Sequence, residues 1–255
     1  MKPTLFNNLS ADDTVIMTEL EPVLDISYAK PLEGGSALYY QLFTWLDGES
    51  PHRFIHHLSP AEQYALGVQV GETARLLHTL PALPSPHKRV RDNPWCVWWK
   101  EDLLGRIKEY ESKPDKTRAH KILIKYLRDN IDLVDGRPQT FIHGDWDTSN
   151  YIFMPDGKIG IIDTGDTCGD PWMEFRYSNG TNDGPYFDSG QINGYFSGNP
   201  PVEYFPLLLL YTADSTLGRF LTGIGINSEF YLLNPGEHYK FAGAFILYVN
   251  ILFSA

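Results

Sequence analysis

Residues 141–164 read FIHGDWDTSNYIFMPDGKIGIIDT, and this stretch restricts the fold more tightly than any other. Apolar Phe141 and Ile142 end one β-type run, and His143 to Asn150 follow as a polar loop. Two further β-type runs, YIFM and IGIID, are joined by Pro155-Asp156-Gly157-Lys158. Pro, Asp and Gly in that connection are turn formers, so the runs predict a short antiparallel hairpin. A hairpin returns the chain to where it left. The end of the polar loop at Asn150 and the residue Asp163 therefore meet at one end of it.

Helical patterns flank the hairpin. In LSPAEQYALGVQVGETARLLHTL, Ser59 caps the start, Pro60 takes the first position, and Leu66, Val70, Ala74 and Leu77 recur on one face. NPWCVWWKEDLLGRIKEY and HKILIKYLRDNIDLV predict two more amphipathic helices, and the chain from about Pro201 reads as helical with Gly and Asn breaks. Near the start, LSADDTVIMTELEPVL predicts a short helix, with Ser10 as cap, Asp13 completing a capping box and Pro22 ending it. EGGSALYYQLFTWLDGES then predicts a strand entered through Gly34-Gly35 and left at Asp47-Gly48. The expected class is α+β, with a small piece carrying one strand ahead of a larger, mostly helical piece.

Charge and cysteine usage exclude several functions. A formal net charge of −11 argues against a protein built around the nucleic-acid backbone, and it suits a cationic small substrate. The two cysteines, Cys96 and Cys168, exclude a disulfide scaffold and a Cys-based zinc site, and fit a reducing cytoplasm. The start, MKPTLFNNLS, lacks the apolar region of a signal peptide. The longest apolar run, FAGAFILYVNILF, falls well short of the ~20 residues a membrane span needs, so a buried helix is expected there.

After the hairpin the chain continues as IIDTGDTCGDP. The order His143-x-Asp145, Asn150, hairpin, Asp163-x-Gly165 follows that of a kinase catalytic loop and its metal-binding aspartate. Phosphoryl transfer needs such a set. A carboxylate, here Asp145, orients an acceptor hydroxyl and accepts its proton. Hard oxygens, here the Asn150 amide and the Asp163 carboxylate, hold Mg2+ against the phosphates.

The same residues resemble the aminoglycoside phosphotransferase family, a branch of the protein-kinase-like fold. That family carries His-Gly-Asp where protein kinases carry His-Arg-Asp, as His143-Gly144-Asp145 does here, and follows the metal aspartate with Gly-Asp-Pro, seen as Gly169-Asp170-Pro171. YYQLFTWLDGES is similar to its hinge strand, and LSPAEQYALGVQVGETARLLHTL to the helix after it. The resemblance runs from about Leu9 to past Phe196. It implies a two-lobed fold with a truncated N-terminal lobe and hinge over 1–45 and a mostly helical C-terminal lobe over 46–255. It also implies ATP (or GTP) in the cleft, with backbone at Thr44, Trp45 and Leu46 meeting the base. His143 is expected to buttress the loop, and Asp170 to hold the catalytic loop by accepting hydrogen bonds. Asp147 either touches substrate or caps the following turn.

Kinases of this type place a glycine-rich cover and a phosphate-pairing lysine on strands before the first helix. Here the only lysine ahead of the expected helix is Lys2, Lys30 comes after it, and Glu19 or Glu21 would lack its usual partner. Gly34-Gly35 reads as a turn. The chain is then either a shortened member or one without phosphate clamping. The segment from Asp163 to Gly169-Asp170-Pro171 is one residue shorter than the common family pattern.

His52, His56 and His57 have helical spacing without a carboxylate or Cys partner, and are read as non-metal residues. Trp95, Trp98 and Trp99 are expected to pack a helix, and Cys168 to be a small packed residue. Asp183, Asp188, Glu203 and Asp214 fall where the acceptor side of the cleft is implied, or on a solvated surface. The function expected is a small-molecule kinase acting on a hydroxyl, with an aminoglycoside-like acceptor favoured and antibiotic resistance as its consequence. The rivals are a kinase-like binding module without turnover, and a kinase for choline, homoserine or a macrolide.

Overall fold

The computed structural model describes residues 45–80, 94–114, 118–164, 167–178 and 184–222, with the short strands Val15–Met17, Lys30–Pro31 and Ala37–Leu38. The chain forms two compact units. One combines residues 1–54 with 147–164, and the other 55–146 with 165–255.

The smaller unit is built on the hairpin. Strands β5 (Tyr151–Phe153) and β6 (Ile159–Ile161) pair antiparallel, with Tyr151 opposite Ile161. Their turn uses Gly157 at φ 83°, a left-handed conformation that glycine adopts without steric cost, and Asp156 accepts a 3.1 Å bond from the Lys158 amide. Strand β1 (Val15–Met17) adds to β6 in parallel, giving the order β1-β6-β5. This corrects the expected N-terminal helix over these residues. The Ser10 and Asp13 pattern is a local helix signal, but Val15 and Ile16 are β-branched and the free edge of β6 supplies a ladder. Strands β2 (Lys30–Pro31) and β3 (Ala37–Leu38) pair with each other, so the expected single strand over 33–50 is confined, among the described residues, to Ala37–Leu38 and a bridge from Glu49 to Phe153. The hairpin, assigned by sequence to the helical piece, belongs to this unit.

The larger unit is helical. Helix α1 (Pro60–Leu77) begins where its capping box dictates: Ser59 Oγ accepts from the Glu62 amide, and the Glu62 carboxylate accepts from the Ser59 amide at 2.8 Å. Its expected face, Leu66, Val70, Ala74 and Leu77, is buried. Helices α2 (Trp95–Ser112), α3 (Arg118–Asn130) and α5 (Tyr204–Thr222) enclose the main core. Trp95 stacks on Trp99 with centroids 5.8 Å apart, and Tyr211 meets both rings edge-on. The expected packing role of Trp95 and Trp99 follows directly. A two-stranded sheet, β4 (Thr140–Ile142) with β7 (Thr167–Gly169), leads into and out of the loop region, with Phe141 opposite Cys168.

Helix α4 (Pro185–Phe196) lies against α1 at backbone contact. Each helix presents two glycines one turn apart, Gly67 and Gly71 on α1 and Gly190 and Gly194 on α4. A Cβ at any of the four would overlap a carbonyl of the other helix: Phe187, Gln191, Tyr64 and Val68 respectively. Four glycines in helix interiors cost about 2–4 kcal/mol in propensity, which the close dispersion contact must offset. Gly71→Ala should destabilise the protein by about 1–3 kcal/mol through overpacking. Gly105→Ala, at an α2 site where a Cβ meets nothing within 4 Å, should stabilise by about 0.5–1 kcal/mol. Urea unfolding of the two variants checks the contrast, and equal shifts would refute the contact argument.

Candidate active site

The smaller unit carries Asn150 and Asp163. Asp147 caps a 3-10 turn over Thr148–Asn150, its carboxylate accepting from the Ser149 amide at 2.9 Å and the Ser149 hydroxyl at 2.7 Å. Ser50 Oγ donates to the Thr148 carbonyl at 2.8 Å and ties the turn to the preceding chain. Of the two roles open to Asp147, the turn is the one it fills here. The Ile162 amide donates to the Asn150 carbonyl at 3.0 Å, extending the Tyr151–Ile161 register by one step. Asn150 thus stands opposite Ile162, with Asp163 next along the chain. Asn150 is buried and Asp163 exposed, and Asp163 has φ 59°. Few residues with a side chain adopt that region, and such strain concentrates where function requires it. The amide and carboxylate oxygens of this pair are hard donors suited to magnesium.

The larger unit carries His143, Gly144, Asp145 and Trp146. Gly144 bends at φ 86° between buried His143 and exposed Asp145. The Asp145 amide donates to His143 Nδ1 at 3.2 Å, which makes Nδ1 the unprotonated ring nitrogen. His143 is thus bonded to the loop's own backbone. The loop's principal anchor is Glu174, a fully buried residue in the 3-10 segment Pro171–Tyr177. Its carboxylate accepts from the His143 amide at 2.5 Å and the Gly144 amide at 2.8 Å, and lies 3.3 Å from His78 Nε2. Arg176 completes the clamp by donating to the Gly144 carbonyl. Burial pushes the Glu174 carboxyl up, but the His78 bond and the electrostatic pull of His78 and Arg176 outweigh it and leave it below its ordinary value.

Asp170 is the correction. It was expected to hold the catalytic loop, yet its carboxylate accepts from Arg137 Nε at 2.6 Å, Tyr211 Oη at 2.7 Å and the Trp172 amide at 3.0 Å. It ties the segment before β4 to α5, while Glu174 is the carboxylate bonded to the loop. Asp214 forms an ion pair with Arg106 at 2.6 Å and Asp188 accepts from Gln191 at 3.2 Å, both buried inside the larger unit, while Glu203 is exposed. Asp183 and Thr44 lie outside the described residues. Trp45 is 87% exposed, and Leu46 packs over Gly160 of β6. Cys168 is buried with Gln139 donating to its sulfur at 3.2 Å, and burial raises its thiol, as suits a packed residue.

The chain passes from the larger to the smaller unit between Trp146 and Asp147. Asp145 thus belongs to one unit, and Asn150 and Asp163 to the other. Among the described residues no helix is long and apolar enough to cross a membrane.

Known proteins give the pattern a context. A choline/ethanolamine kinase family protein from Mesorhizobium loti aligns with a TM-score of 0.52 and 17% identity, over 89% of this chain and 73% of that one. APH(2'')-IIa in complex with gentamicin gives 0.48 and 17%, over 86% and 73%. The aminoglycoside phosphotransferase APH(2'')-Ib, ADP-bound, gives 0.47 and 16%, over 84% and 71%. The first of these shows a shared protein-kinase-like fold. A comparison with curated protein sequences gives no match. The family model described as the phosphotransferase enzyme family matches residues 18–204, a span holding His143, Asp145, Asn150 and Asp163. The chain is a member of that phosphotransferase family, whose enzymes act on a hydroxyl acceptor.

Proposed function

We propose that this phosphotransferase moves the γ-phosphoryl group of ATP, or of GTP, to a hydroxyl of a small molecule, with magnesium and with an aminoglycoside-like acceptor favoured. One observation carries the reading: the hairpin register sets Asn150 beside the step to Asp163, on a segment continuous with the loop that exposes Asp145. Asp145 accepts the hydroxyl proton while the hydroxyl oxygen bonds to the γ-phosphorus. The bond from that phosphorus to the β–γ bridging oxygen breaks, and the nucleoside diphosphate leaves. Asn150 and Asp163 hold the magnesium, whose charge offsets that of the phosphates. Backbone at Thr44, Trp45 and Leu46 meets the base.

The net charge of −11 favours a cationic acceptor. An aminoglycoside would make this an antibiotic-resistance enzyme of the cytoplasm. A choline-like acceptor is the second reading, favoured by the fold shared with the choline/ethanolamine kinase family protein.

Nucleotide consumption measured across gentamicin, streptomycin, choline, ethanolamine, homoserine and a macrolide selects among acceptors. Binding of Mg-nucleotide without transfer to any of them would leave a binding module. With the active acceptor, Asp145→Asn should lower kcat by about 10²- to 10⁴-fold with nucleotide Kd nearly unchanged; retained turnover removes Asp145 from the role. Saturating Mg-ATP, at about 100 times Kd, should add about 2.7 kcal/mol to the native state, and Asp163→Asn should abolish that thermal shift. Glu174 supplies the pH test. Its carboxyl lies below the ordinary value of 4.5, so its stabilisation is complete above that pH and is lost as pH falls through the lower folded value. Glu174→Gln should lower stability at pH 7 and flatten its decline below about pH 4.5; an unchanged acid profile would refute the clamp.

A further inference from the structure

The Trp146 side chain follows directly on Asp145 and is 2% exposed. Its indole Nε1 donates to Gln191 Oε1 on α4 at 3.0 Å, and its ring lies edge-on to His143, centroids 5.8 Å apart. Gln191, also 2% exposed, is held at its other end: Nε2 donates to Asp188 Oδ1 at 3.2 Å and to Ser178 Oγ at 3.3 Å. The carboxamide can point only one way, since only its nitrogen can donate to the Asp188 carboxylate and only its oxygen can accept from the Trp146 indole N–H. The Gln191 backbone is equally constrained, because its carbonyl is the one that faces Gly71 across the α1–α4 contact.

Asp145 is therefore located from two sides. On one side its own amide is bonded to His143, whose amide Glu174 holds; on the other, the next residue's side chain is bonded to Gln191. We infer that Gln191 is a positioning residue for phosphotransfer: through the Trp146 indole it sets where the Asp145 carboxylate stands. The inference rests on the function proposed above. Gln191 touches no reacting atom, and its influence is that of orientation, where a misplacement of about 1 Å can cost on the order of 10²-fold in rate.

The test is a cycle of Gln191→Met, Trp146→Phe and the double variant. Gln191→Met keeps the volume and removes the strong acceptor, and Trp146→Phe removes the donor. Gln191→Met should lower kcat at least tenfold with the nucleotide KM within about twofold. The double variant should be no slower than the slower single, because both substitutions cut one link. Losses that multiply, a KM that moves as far as kcat, or an unchanged kcat would overturn the inference. A readout free of turnover accompanies it. In 15N spectra the indole N–H signal that disappears in Trp146→Phe identifies Trp146, and Gln191→Met should speed its hydrogen exchange at least tenfold and shift the Asp145 amide. An indole signal and an Asp145 amide both unmoved would overturn it equally. Should Gln191→Met fail to fold, Ser178→Ala removes only one of the two acceptors that orient the carboxamide. It should give the same changes in reduced form, and no change in either readout would overturn the inference. A wild-type protein that transfers phosphate to no acceptor would sink the proposed function instead, leaving the spectra to decide whether Gln191 locates Asp145.

Discussion

The start of the loop depends on one buried carboxylate. Glu174 accepts two consecutive backbone amides, from His143 and Gly144, with His78 beside it and Arg176 closing on the Gly144 carbonyl. An isolated carboxylate with no exposure would be expelled or protonated, because desolvation costs several kcal/mol even after relaxation. Here the charge is retained by donors that belong to the loop itself. The group that must be satisfied and the group that must be placed are the same contact, so neither relaxes without the other.

The larger unit repeats this economy. Asp170 is matched by the Arg137 fork and the Tyr211 hydroxyl, whose proton burial and the Asp170 charge hold in place. Asp214 is matched by Arg106, although burial still raises its carboxyl above the ordinary value. Arg137 also stacks on Trp172 at 3.6 Å from the ring centroid. Breaking such pairs one partner at a time costs about 3–5 kcal/mol, so they specify the packing of α5 against the loop's supports more than they add to net stability.

The start of helix α1 was legible to the residue, because Ser59, Pro60 and Glu62 are a local code, and its buried face was legible because the burial period needs no partner. The hairpin was legible for the same reason: its turn chemistry lies within four residues, Pro155 to Lys158. What escaped was non-local. Strand β1 is only three residues long and exists because β6 offers an edge, while the surrounding Ser and Asp read as a helix start. Glu174 lies 30 residues from the Gly144 amide it receives, and nothing in its neighbourhood marks it apart from Asp170-Pro171 just before. Asp170, which does look marked, serves the core. The glycine spacings on α1 and α4 are visible in the sequence, but only their meeting gives them meaning.

That meeting has an evolutionary side. A helix contact made of side chains can drift, each substitution re-aiming its neighbours by a fraction of an ångström. Backbone resting on backbone at Gly67, Gly71, Gly190 and Gly194 has no such intermediate settings: a helix either keeps its register or jumps by a turn. The residues hung from α4 inherit that discreteness. Descendants of this protein that acquire new acceptors are then expected to vary their loops and to leave this pair of helices alone, much as a lathe changes tools without moving its bed.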